Sequence, residues 1–176
     1  MSDYEEIAIT TLSANAASIS ITGITQAYQT LDVSIQLRVD STNFPYGSRA
    51  SVYLNGDTTQ TNYHQFGQHI IRTGPSTNDC TQAQDNLNQF CILGAASNSD
   101  ANLMGYTRIK FNNYSNAFQK TGFYQTTSFK DNQNNGQLGQ TGLWNWMNTS
   151  AITSITVTGF STLLAGSSVS IFGMKG

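Results

Sequence analysis

Charge is what this sequence has least of. Only 10% of its 176 residues are charged, glutamate occurs at Glu5 and Glu6 alone, and lysine at Lys110, Lys120, Lys130 and Lys175. Long amphipathic helices need Glu and Lys on their wet faces, so the shortage argues against a helical fold. With a net charge of −2 and a pI near 5.5, the scattered basic residues form no phosphate-binding surface, and nucleic acid is not expected as a partner. No apolar run reaches the ~18 residues of a transmembrane helix, so no membrane span is expected either. The start, Met1-Ser2-Asp3-Tyr4-Glu5-Glu6, is acidic where a signal peptide is basic and then apolar, and Sec-type export is not indicated.

Residues that carry chemistry are equally sparse. The two cysteines, Cys80 and Cys91, lack CxxC spacing. A bridge between them would contribute roughly 3 kcal/mol, but without an export route they read as reduced thiols. His64 and His69 lie five apart, on opposite faces of any strand, with no cysteine or carboxylate cluster beside them, which is poor zinc spacing. Ten acids, three of them in the first six residues, leave little for the paired carboxylates of glycoside hydrolysis. There is no G-x-S-x-G nucleophile elbow. The expectation is a protein with no catalytic site, no metal and no cofactor.

What the chain does have is neutral polarity. Ser, Thr, Asn and Gln account for 72 of 176 residues, yet 38% hydrophobic and 11% aromatic content is ample for a core and rules out disorder. Thr, Ile, Val, Tyr and Phe suit pleated, half-buried surfaces, so the class is all-β. A single domain of this length buries roughly 70% of its extended-chain surface without staples.

Period-2 alternation marks the strands. Leu31, Val33, Ile35, Leu37 and Val39 face one way over nine residues, with Asp32, Ser34, Gln36 and Arg38 on the other side. Ser18 to Gly23 alternates around Ile19 and Ile21. In the last 26 residues Ile155 and Val157, then Val169 and Ile171, alternate with Ser and Thr around a bend at Ala165-Gly166. The final strand is expected to be sewn into a sheet. Ser51 to Leu54, Gln68 to Arg72, Phe90 to Leu93, Tyr106 to Phe111 and Gly122 to Phe129 are further strands. Asn43 to Gly47 reads as a turn around Pro45, Thr81 to Gln89 as a short helix, and Asp131 to Gly142 as a polar loop. Asn55-Gly56-Asp57 is a tight turn by its residue types, with a Ca²⁺ loop using Asp57, Asn55 and Asn62 as the less favoured reading. Trp144, Trp146 and Tyr124 read as core in preference to a sugar platform. About eight short strands predict a two-sheet antiparallel jelly-roll sandwich over 13–176, preceded by an N-terminal arm, 1–12.

Four blocks resemble, in the same order, those of jelly-roll virion proteins of tailed bacteriophages. Ile21-Thr22-Gly23-Ile24-Thr25-Gln26-Ala27-Tyr28-Gln29-Thr30-Leu31 is similar to that family's I-x-Q-x-Y-x-x-L, and Leu54-Asn55-Gly56-Asp57 with Asn62-Tyr63 to its F-N-G-D-x-x-x-N-Y. Ile109 to Asn116 is similar to I-x-I-x-x-Y-x-N. Trp144, Ala151 to Thr156 and Ala165 to Met174 resemble its C-terminal Trp, AITSIT and AGSxxSLYGI pieces, with Phe172 where a Tyr is usual and Trp146 as a second tryptophan. The resemblance implies a structural virion protein, assembled in the host cytoplasm. Its place is the capsid exterior as a decoration (cement) protein on the major capsid protein, or else a tail-fibre or baseplate module that binds a host surface glycan.

The decoration reading fits a homotrimer, since closed symmetry repeats one modest contact three times. The lightly charged face Asp32, Ser34, Gln36 and Arg38 suits wet, hydrogen-bonded docking. The acidic arm, with Asp3, Tyr4, Glu5 and Glu6, is expected to reach toward a neighbour or the capsid.

Overall fold

The computed structural model describes residues 4–42, 48–74, 77–83, 90–100, 102–129 and 137–175, with the backbone alone at 69, 71–74, 77–83 and 137. These residues are all-β: thirteen strands and one 3₁₀ turn, Gln60–Asn62. Numbered in chain order, the first sheet runs β6 (Thr77–Ala83), β5 (Tyr63–Gly74), β11 (Gln137–Trp146), β10 (Lys120–Phe129), β9 (Gly105–Asn112), β3 (Thr30–Val39), β13 (Ser168–Met174) and β1 (Tyr4–Thr11). The second runs β2 (Ala16–Thr22), β12 (Ser154–Leu163), β4 (Arg49–Leu54) and β7 (Phe90–Leu93). Every pair named so far is antiparallel. The sheets join at the end of β3, where Val39 faces Leu163 and Arg38–Val39 runs parallel to the two-residue β8 (Ala95–Ala96), so the whole is nearly barrel-shaped.

Alternation decides the core. Ile19, Ile21, Leu31, Val33, Ile35, Leu37, Val39, Ile109, Phe111, Ile155, Val157, Val169 and Ile171 are all buried in one cluster. Aromatic side chains tie the two sheets across it. Phe90 of β7 stacks on Trp144 of β11 with centroids 4.2 Å apart, and Trp144 stacks in turn on Tyr124 of β10 at 5.2 Å. Such pairs contribute about 0.5–1.5 kcal/mol beyond the area they bury. Trp144, Trp146 and Tyr124 are therefore core, and no sugar can stack on them. Cys91 is a buried free thiol, its pKa pushed up to about 11 by burial; the Cys80 side chain lies outside the described residues.

Four expectations change. The start of the chain is not a free arm: Tyr4–Thr11 is β1, paired with β13 from Tyr4↔Met174 to Thr11↔Ser168. A bulge between Glu6 and Ala8 breaks the alternation there, which is why Tyr4 to Thr11 does not look like a strand. The polar stretch assigned to a loop up to Gly142 is strand from Gln137 onward, and residues 131–136 lie outside the described residues. Thr81 to Ala83 ends β6 where a helix was expected, with 84–89 outside the described residues, as is the turn 43–47. About eight strands become thirteen. The C-terminal pair is as read, with Gly166 at φ +87° in the bend, and β13 lies between β1 and β3 as an interior strand.

Candidate functional site

The family-like blocks turn out to be structural fasteners. Asn55 and Gly56 take φ of +54° and +70°, and the Asp57 amide closes their turn on the Leu54 carbonyl at 3.0 Å. The Asp57 carboxylate accepts from the Thr59 amide (3.0 Å), the Asn62 side chain (2.8 Å) and the Trp146 indole N–H (2.9 Å). Asn55 Oδ1 accepts from the amides of Thr153 and Ser154, and the Tyr63 hydroxyl donates to the Asp57 carbonyl. Gln26 donates to the carbonyls of Ile24 and Ile152, and the Tyr28 ring lies where a side chain at Gly173 would sit. These contacts hold the turn, β11 and the 151–154 segment together.

Burial alone would raise the Asp57 pKa, but the donors from Asn62, Trp146 and Thr59 outweigh it and hold the carboxyl below its ordinary value. A depressed folded-state pKa contributes stability above the unfolded value and loses it as pH falls through the folded one. Urea unfolding should therefore show the stability advantage of the wild type over Asp57→Asn shrinking as pH drops below about 4. A pH-independent difference would refute this.

The contact residues expected on β1 and β3 do not form one open face. Asp3 lies outside the described residues. Tyr4 is exposed on one side and stacks on Phe172 at 4.9 Å. Glu5 accepts from the Tyr28 hydroxyl and pairs with Lys175 at 3.0 Å, and these two partners lower its pKa. Glu6 is exposed opposite Phe172. Asp32 is the correction: it is fully buried, held by Arg108 through Nε at 2.9 and 3.1 Å and through Nη2. Arg38 is half-buried and donates to the carbonyls of Ser97, Ser99 and Asp100. Ser34 lies 3.3 Å from the Tyr106 hydroxyl, and of the four β3 residues only Gln36 is openly exposed. The pattern placed these side chains on the correct face of β3, but neighbouring strands and the 97–100 loop cover two of them.

An exposed apolar surface lies two to four strands from β3. Register sets Phe66 of β5, Leu143 of β11 and Phe123 of β10 side by side across the outer face of the first sheet. Their exposures of 44%, 49% and 51% are high for side chains of that size. Phe118, 70% exposed, joins Phe123 and Leu143 in lining a cavity of about 390 Å³. The loop that presents Phe118 is fixed from below. Lys120, 1% exposed, donates its ammonium to the carbonyls of Asn116, Phe118 and Thr149, and burial lowers its pKa. Met147, also exposed, closes the same end of the sheet.

Neither a protein-family model nor a curated protein matches this sequence. The site must be read from its own chemistry.

Among the described residues no group of three His, Cys, Asp or Glu side chains could hold a metal ion, and no helix is long and apolar enough to cross a membrane. His64 stacks beside Phe66 at 6.4 Å on the outer face of β5. The outer face thus offers contact surface at one end and, farther along the same strands, polar troughs. Sequence reading missed the apolar row because Phe123 and Leu143 sit next to the equally large Tyr124 and Trp144, so neither face of β10 or β11 announces itself.

Proposed function

We propose that this chain is a structural virion protein of a tailed phage, a non-enzymatic decoration protein that adds as a homotrimer to the major capsid protein on the capsid exterior. The observation that carries this reading is the cluster Phe66, Leu143, Phe123 and Phe118 at one end of the first sheet. Contiguous exposed apolar side chains on a folded domain mark a protein–protein contact, and aromatic side chains dominate such contacts. The buried lysine beneath the Phe118 loop keeps that end rigid, so docking costs little ordering entropy. The attachment surface is accordingly this end of the sheet, in place of the arm and the β3 face.

A jelly-roll arrangement is supported by the strand order. The chain alternates between sheets: β2 in the second, β3 in the first, β4 in the second, β5 and β6 in the first, β7 in the second, β9 to β11 in the first, β12 in the second. β12 returns between β2 and β4, and the β9–β10–β11 meander returns between β3 and β5. This order is what the double Greek key of a jelly roll would give with one strand expanded to three.

Undecorated heads provide the test. Wild-type protein should bind them, and a gel of purified virions should show the band in hundreds of copies. The double variant Phe118→Ser/Leu143→Ser, at positions exposed enough to leave folding intact, should bind about tenfold more weakly or worse. Equal saturation of heads by the variant, or a virion band in only tens of copies, would overturn the reading.

A further inference from the structure

The strands that carry the apolar row carry a different surface two and four residues farther along. There the rows read Gln68, Thr141, Gln125, Arg108 and then Ile70, Gly139, Thr127, Tyr106, set side by side by the registers of β5, β11, β10 and β9. Gly139 is the low point. A Cβ at that position would meet nothing within 4 Å, so the missing side chain leaves a hollow between Ile70 and Thr127. The resulting trough holds about 190 Å³, and no charged side chain lines it. Gln125 also borders a second cavity of about 230 Å³, with Arg108, Lys110 and Phe123. Along β10 the two hollows span from Thr127 to Phe123, about 13 Å at strand rise.

The chemistry of these walls selects among ligands. Each glutamine amide offers both donors and an acceptor, and threonine hydroxyls do the same. Ile70 and the bare Gly139 backbone give an apolar patch for C–H groups. A nucleic acid would need many more cations than Arg108 and Lys110 supply. An added peptide strand would need a sheet edge, and β11, β10 and β9 are all paired on both sides. What fits is a chain of hydroxyl-rich rings. In the second cavity Asp32 neutralises Arg108 through Nε and Nη2, so Lys110 adds the net positive charge and suits a carboxylate. No carboxylate side chain lines either hollow, so neither offers the acid pair that glycoside cleavage requires.

We infer that the outer face of β5, β11, β10 and β9 binds an acidic oligosaccharide, with a neutral sugar ring over Gly139 and the carboxylate of an adjoining uronic acid beside Lys110. The site meets the apolar end that we assign to capsid attachment only at Phe123, and the Gly139 trough lies beyond it, so binding there does not depend on that attachment being correct.

Amide chemical-shift titrations of the intact protein test this. The probes are a tetrasaccharide of alternating glucuronic acid and N-acetylglucosamine, its carboxyl-reduced counterpart, and a galacturonic acid tetrasaccharide. At least one acidic probe should shift the resonances of Gln68, Gln125 and Gly139 at millimolar concentration, and the reduced probe should bind more weakly. Gly139→Val, which fills the hollow with a side chain that strands favour, should weaken binding about tenfold or more while the rest of the spectrum stays folded. Lys110→Gln should abolish the preference for the acidic over the reduced probe. Absence of shifts with both acidic probes, or unchanged binding by Gly139→Val, would overturn the inference. Head binding by Gly139→Val should remain normal, which keeps this test separate from that of capsid attachment.

Discussion

Removing Arg108 should destabilise the protein by about 3–5 kcal/mol, more than removing its partner Asp32. The asymmetry follows from burial. The Arg108 side chain is 54% exposed and that of Asp32 is 0% exposed, although the two share one ion pair. In Asp32→Ala the guanidinium loses its acceptor but can turn into water, so the loss is that of charged hydrogen bonds, about 1.5–3 kcal/mol. In Arg108→Ala the carboxylate stays buried beside Phe172 and loses the only ion pair it makes among the described residues, with Lys110 across the strand as the one cation left near it. A buried, unpaired carboxylate escapes its penalty by taking up a proton. The Arg108→Ala protein should therefore regain stability as pH is lowered toward 5, where the wild type should not. Equilibrium urea unfolding of both variants across pH 5 to 8 measures this. Equal losses, or an Arg108→Ala deficit that ignores pH, would show that Asp32 is not dependent on Arg108. The Arg108 pKa is raised chiefly by the hydrogen bonds it donates to Asp32, consistent with a group that stays charged throughout.

This pair also shows where reading the sequence stops. Alternation along Leu31 to Val39 assigns every inward side chain correctly, since only the period matters for that. It cannot say what crosses the outer side. Asp32 is buried because Phe172 of β13 and Lys110 of β9 flank it in register, with Arg108 one row away, and these strands are 70 residues or more distant in sequence. The same limit hid the exposed apolar row. Phe66, Leu143 and Phe123 come together only through two strand registers. The trough was hidden for another reason. Gly139 and Gly142 made their segment look like a loop, because glycine within a strand reads as a breaker. At Gly142 the cause is close approach: a Cβ there would lie 1.8 Å from the Phe66 carbonyl oxygen, so β11 reaches β5 only with glycine. The hairpin and strand signals with local causes were legible, as in Asn55-Gly56, Gly166 and the Ile-Thr-Val alternation of β12. Burial of the tryptophans was legible too, because two large aromatics in a small β domain have few other places to go.

Deleting residues 1–12 should cost about 3 kcal/mol or more and promote aggregation, whatever it does to capsid binding. β1 pairs with β13 through seven residue pairs, and Ile7, Ala8 and Leu12 pack against the core. Ladder hydrogen bonds and the backbone entropy of ordering a strand roughly offset each other. The apolar contribution of two half-buried large side chains and an alanine remains, at about 3 kcal/mol. Further contacts go with it. Leu12 exchanges backbone hydrogen bonds with Ser167 and Gly166, Tyr4 stacks on Phe172, and Glu5 joins Tyr28 and Lys175. For a chain of this size the loss corresponds to a fall of about 6–12 °C in Tm. The new edge is the more serious consequence. β13 carries buried Val169 and Ile171, and with β1 gone its backbone donors and acceptors would face water as an unpaired edge flanked by apolar residues. A thermal melt with light scattering should show a lowered Tm and concentration-dependent association. A truncated protein that melts like the full chain and stays monodisperse would mean that β1 is an accessory strand. It would also return the first twelve residues to the role of a free arm.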